Sequence, residues 1–213
     1  MRSRILTLLA LTCVITIAVA TVAPAGAGRE STIPSCEELL TKKEAGLVMR
    51  EPIAEILTRT VTGSSTRACG YFGGRPGATK LGHGLYVSYG PYLDNRKMAP
   101  DFAKKYVCPI SKAACKKFLE AAKLKPDRRS FAALELALRQ IGITKLQPRG
   151  LDNPAFLWVP SRSLAPLDEE AFVVVYISKS AHLLQVGCSD TEHKTADVAC
   201  AIRGAIWVET SVT

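Results

Sequence analysis

The chain has 213 residues, 47% hydrophobic, 22% charged and 7% aromatic, with a net charge of +9. This is globular composition, and it excludes collagen-like, low-complexity and disordered classes. Residues 5–27 carry no charge, follow Arg2 and Arg4, and close on Ala25, Gly26 and Ala27. A basic start, an apolar run and an A-x-A ending are the three parts of a secretory signal peptide. A cut after Ala27 removes both arginines and leaves a net charge of +7. The rival readings are an uncleaved membrane anchor and a lipoprotein modified on Cys13. Small residues rather than a basic stop-transfer cluster follow the run, and Thr12 stands before Cys13 where Ala or Gly is expected. The expected organisation is therefore a signal peptide at 1–27, a short leader at 28–35 and a single α+β domain at 36–213. No second stretch approaches the roughly 18 apolar residues needed to cross a bilayer.

In chain order, Thr41 and Glu44 form a capping box, with Leu40 as a hydrophobic staple, and predict a short helix through about Met49. Pro52 and the run 53–61 predict an extended segment ending at the turn Gly63-Ser64-Ser65. Residues 69–72 and 84–89 predict two strands around a Gly-rich hairpin loop. Residues 101–145 change character to helix formers. Within them Cys115, Phe118, Leu119 and Ala122 share one face of a helix at 112–123, with Lys112, Lys116 and Lys123 on the other. Phe131, Leu134, Leu138 and Ile141 mark a second helix at 130–141. Residues 155–159, 171–177 and 182–187 are rich in Val, Phe, Leu and Tyr and read as strands. A final helix is expected from Thr195 to about Val208. This order gives an antiparallel sheet with helices packed on one face, and strand-strand-helix on both sides of the helical middle suggests a duplication.

The opening Cys36-x-x-Leu39-Leu40-Thr41-x-x-Glu44, with Cys69 and Tyr71 about 30 residues on, resembles a family of exported actinobacterial envelope proteins. Its members are small lipoproteins or secreted proteins carrying a domain of unknown function. They often show a Gly-rich turn before a mid-chain strand, where this chain has Gly150-Leu151-Asp152-Asn153-Pro154-Ala155. The resemblance implies an α+β fold and an envelope address, and it supplies no catalytic residue. The stretch 101–145 is extra to the family pattern.

Without Cys13 six cysteines remain: Cys36, Cys69, Cys108, Cys115, Cys188 and Cys200. An even number behind an export signal argues for disulfides in an oxidising compartment. Six cysteines allow 15 pairings; sequence order suggests Cys36–Cys69, Cys108–Cys115 and Cys188–Cys200. Ser111 can cap a helix in which Cys115 lies one turn inside, within reach of Cys108. The last pair depends on where the C-terminal helix begins. A start near Ser189 would put Cys200 roughly 16 Å along it, whereas a start at Thr195 brings the two together.

No motif with a catalytic mechanism is present. There is no Gly-x-Ser-x-Gly elbow, and His83, His182 and His193 sit in no recognised catalytic context. His182, Cys188, His193 and Cys200 lack the short spacing of metal-ligand pairs. Gly82-His83-Gly84 opens no helix and is neither a P-loop nor a dinucleotide fingerprint. We therefore expect no enzyme activity, no cofactor, no metal and no nucleic-acid partner. Nine Lys and Arg stand against three Asp and Glu between positions 101 and 130. Lys112, Lys116 and Lys123, extended by Lys117, Arg128 and Arg129, form the candidate anion-binding face, for a cell-wall polymer or membrane headgroups. The expected function is an extracytoplasmic binding module. The alternatives are a small-molecule or lipid carrier, which calls for an enclosed apolar cavity of several hundred Å³, and a secreted hydrolase.

Overall fold

The computed structural model describes residues 33–60, 65–74, 83–125, 127–161, 170–190 and 195–213. The expected signal peptide lies outside the described residues. Two capping boxes open the domain. At α1 (Cys36–Leu39), Ser35 Oγ accepts from the Glu38 amide at 3.2 Å while the Glu38 carboxylate takes the Ser35 N–H at 2.6 Å. Thr41 and Glu44 repeat the arrangement at α2 (Lys42–Met49). The backbone hydrogen bond from Ser35 holds the Glu38 carboxyl below its ordinary range, and the Thr41 hydroxyl does the same for Glu44. At the other end of α2, Arg203 donates from Nε and Nη2 to the Val48 carbonyl at 2.9 and 2.7 Å. A cation there satisfies a helix C-terminal carbonyl and meets the negative end of the helix dipole.

Strands β1 (Ile53–Thr60), β2 (Arg67–Gly73) and β3 (His83–Pro91) form an antiparallel meander. A helical block follows: α3 (Tyr92–Phe102), a π-helical turn (Ala103–Val107), α4 (Lys112–Lys123) and α5 (Arg128–Leu138). A second meander comprises β4 (Gly142–Leu146), β5 (Ala155–Pro160), β6 (Ala171–Ile177) and β7 (His182–Asp190). The short β8 (Thr195–Ala196) pairs with the end of β7 and leads into α6 (Val198–Val212). The two meanders join through β3 and β7, so the sheet order is β1-β2-β3-β7-β6-β5-β4. The fold is α+β and antiparallel, with helices after each meander, and the six cysteines pair in sequence order.

The helices cover both faces of the sheet rather than the single face expected. The strand period of two explains why. Ala155, Leu157, Val173, Val175, Leu184 and Val186 face one side, packed by α1, α2 and α6. Phe156, Trp158, Phe172, Val174, Tyr176 and Leu183 face the other, packed by α3, α4 and α5. All seven residues of β6 are buried, and a strand apolar on both faces needs cover on both. On the first face, Gly204 lets α6 settle on the sheet, because a Cβ there would lie 2.9 Å from Val186. The turn after β4 is held by side chains: Gln147 Nε2 donates to the carbonyls of Leu151 and Asn153, and buried Glu209 accepts from the amides of Asp152 and Asn153. Gly150, at φ 91°, supplies the left-handed step in that turn.

Several boundaries differ from expectation. The helical stretch placed at 101–145 begins earlier, at Tyr92, and ends earlier, because residues 142–146 are β4. Pro100 inside α3 and Pro91 before it hide that helix from a propensity reading. β4 is an edge strand with Ile143 and Leu146 exposed, so its sequence lacks the alternation that marks a half-buried strand. Of the leader placed at 28–35, Ile33 packs on the core and Ser35 caps α1, while residues 28–32 lie outside the described residues. The C-terminal helix begins at Val198, where Asp197 caps it by accepting from the Cys200 amide at 2.9 Å.

Candidate anion-binding face

The basic face is built from the amphipathic pattern of α4. Ser111 Oγ accepts from the Ala114 amide at 3.1 Å and starts the helix. The Cys108–Cys115 disulfide, with Cα atoms 4.6 Å apart, ties its first turns to the π-helical turn. Ala114, Phe118 and Ala121 are buried, and Cys115, Leu119 and Ala122 are half-buried against the same cluster. Lys112, Lys116, Lys117 and Lys123 are exposed on the remaining surface. Lys116 Nζ lies 4.0 Å from the Glu120 carboxylate one turn on. The spacing expected from sequence is therefore the spacing formed.

α5 follows after a short connection and extends the charge. Asp127 accepts from the Ser130 amide at 2.8 Å, and Ser130 Oγ returns to the Asp127 amide. Arg128 and Arg129 are exposed in the first turn. Cations there oppose the positive end of the helix dipole, a cost of a few tenths of a kcal/mol. Lys104 and Lys105 are exposed on the π-helical turn, with Lys105 Nζ 5.0 Å from the centre of the Tyr106 ring.

Beneath α4 lies an apolar cavity of about 70 Å³. Phe118 and Ala122 form its roof, Trp158, Val174 and Leu183 its floor, and Gln185 is its one amide. Typical ligand pockets run to roughly 300–1,000 Å³. α4 packs on α3, the π-helical turn and α5, and the cavity lies between its Phe118 and Ala122 and the sheet residues Trp158, Val174 and Leu183. The residues α3 adds to the lining were missed from sequence, since Tyr92, Ala99 and Phe102 were not read as one helix.

The other sequence candidates take structural places. His182 stacks on Tyr89 with ring centroids 5.0 Å apart, and its Nδ1 lies 2.7 Å from the Ser180 carbonyl. Cys188 and Cys200 are bonded to each other, so neither offers a thiolate. His193, the side chain of His83 and the Gly-rich loop at 75–82 lie outside the described residues. Of the aromatic residues beside that loop, Tyr71 donates to the Cys36 carbonyl at 2.6 Å, and Phe72 meets Tyr86 edge-on at 5.7 Å. The opening-motif residues Cys36, Leu39, Leu40, Thr41 and Glu44, with Cys69 and Tyr71, thus supply a disulfide, two fully buried leucines, a helix cap and a buried hydroxyl tie.

One polar group escaped the sequence reading. Tyr86 in β3, Ser189 near the end of β7 and Glu170 just before β6 are all buried on the α3–α5 side of the sheet. Burial pushes the Tyr86 phenol far up, the Glu170 carboxylate adds to this, and the Ser189 hydroxyl partly offsets it. Among the described residues, neither the Tyr86 nor the Ser189 hydroxyl has a hydrogen-bond partner of good geometry. No local sequence signal joins a residue of β3, one of β7 and one that precedes β6.

No protein-family model, curated protein or solved structure matches the chain. Among the described residues no helix is long and apolar enough to cross a membrane.

Proposed function

We propose that this protein is an exported, non-catalytic binding module of the bacterial envelope, of the kind its opening motif resembles. It engages an anionic partner through the outward face of α4 and the start of α5. The observation that carries this reading is the segregation on α4: Lys112, Lys116 and Lys123 are exposed while Ala114, Phe118 and Ala121 are buried opposite them. The three joined cysteine pairs fit an oxidising, extracytoplasmic compartment. Several lysines acting together give binding that weakens as salt rises. The test is co-sedimentation with isolated cell walls and with anionic vesicles at low and high salt. The wild type should sediment at low salt only, and Lys112→Glu, Lys116→Glu, Lys123→Glu combined should abolish this with the fold intact. A wild type that stays in the supernatant at low salt, or a triple variant that binds equally well, overturns the proposal.

A further inference from the structure

The α4–α5 hairpin carries more than charge. Leu124, which follows Lys123 at the end of α4, is 44% exposed, and Leu136 on α5 is 54% exposed. At about 100° per residue, Leu136 lies within roughly 20° of Arg129 and 80° of Arg128, with Ala132 between them. It is turned away from Phe131 and Leu138, which are buried against the sheet. Lys123, Leu124, Lys125, Arg128 and Arg129 are all exposed around the connection between the two helices. The exposed surface of the hairpin therefore carries large aliphatic side chains, Leu124 and Leu136, as well as cations.

A soluble polyanion would be matched by the cations alone, and the leucines would stay in water. An interface where headgroup phosphates adjoin hydrocarbon matches both: cations stay at the headgroup level while apolar side chains enter the acyl boundary. We propose that the α4–α5 hairpin docks on a bilayer surface rich in anionic phospholipid. Leu124 and Leu136 enter the acyl boundary while Lys112, Lys116, Lys123, Arg128 and Arg129 lie against the phosphates. This rests on the anionic-partner reading above and names the partner.

The experiment measures partition of the exported chain onto phosphatidylglycerol-containing vesicles, onto pure phosphatidylcholine vesicles, and, separately, binding to soluble polyphosphate. The wild type should prefer the anionic vesicles by at least about a hundredfold, since each cation near the surface contributes roughly fivefold. Leu124→Gln with Leu136→Gln should lower partition onto anionic vesicles roughly tenfold or more. Both sites are exposed, so near-ultraviolet dichroism should be unchanged, and polyphosphate binding should persist. The triple lysine reversal should lose both activities. If the leucine variant partitions like the wild type, or the wild type binds polyphosphate but no vesicle, the bilayer inference fails while the anionic-partner reading stands. If the wild type binds neither at low salt, both fail.

Discussion

On one face of the sheet, α1, α2 and α6 are tied down by covalent and polar links that span the chain. Cys36–Cys69 joins α1 to β2 across 33 residues, Cys188–Cys200 joins β7 to α6, and Arg203 of α6 holds the end of α2. On the other face, the one disulfide among the described residues spans 7 residues and ties α4 to the turn just before it. That helix rests on other helices, with a cavity under it. The first layer is built to hold the sheet. The second presents a helix whose outer surface is free to be charged, because little of the fold depends on it. Local opening concentrates where few buried contacts and no long-range tie resist it.

Breaking the ties should expose this difference most strongly at the disulfides. Replacing Cys36 and Cys69 by Ser should cost about 4 kcal/mol, against about 2 kcal/mol for Cys108 and Cys115, on the loop-entropy account. Urea unfolding of the two double variants measures both, and equal losses would mean that the layers are held alike. Next comes Phe118→Ala, which empties the roof of the cavity and should cost about 3 kcal/mol. Its sharper signature is regional: hydrogen exchange should accelerate in α4 while the amides of α6 keep their protection. Acceleration in α6 of the same size would show that the two layers open as one unit.

The smallest effect concerns the caps of the first layer. Thr41→Ala should cost about 1 kcal/mol near neutral pH. The folded Glu44 carboxyl sits below its ordinary value. Its contribution is therefore complete above the unfolded carboxylate pKa of about 4.3 and is lost as pH falls through the lowered folded value. The Thr41→Ala penalty should shrink across that acidic window in a pH series of thermal melts. A penalty that stays constant down to pH 3 would remove Glu44 from the cap.

The sequence alone determined what depends on neighbours along the chain. The Thr41–Glu44 box, the Ser111 cap and the two faces of α4 are set by spacings of three and four residues, which a helix imposes without outside help. β6 was legible for a similar reason, since an unbroken apolar run of seven residues has few other uses. The basic face belongs to this class: local periodicity alone places the lysines of α4 together on the surface. Tertiary structure decided the rest. β4 is a strand because β5 offers it an edge, α3 is a helix despite Pro100 because Phe102 and Ala99 find the sheet, and Leu136 is left exposed because Phe131 and Leu138 take the inside. The cavity under α4 and the buried group of Tyr86, Ser189 and Glu170 arise from strands and helices far apart in the chain. Long-range pairing sets such contacts, and no local pattern encodes which distant partner a residue will meet.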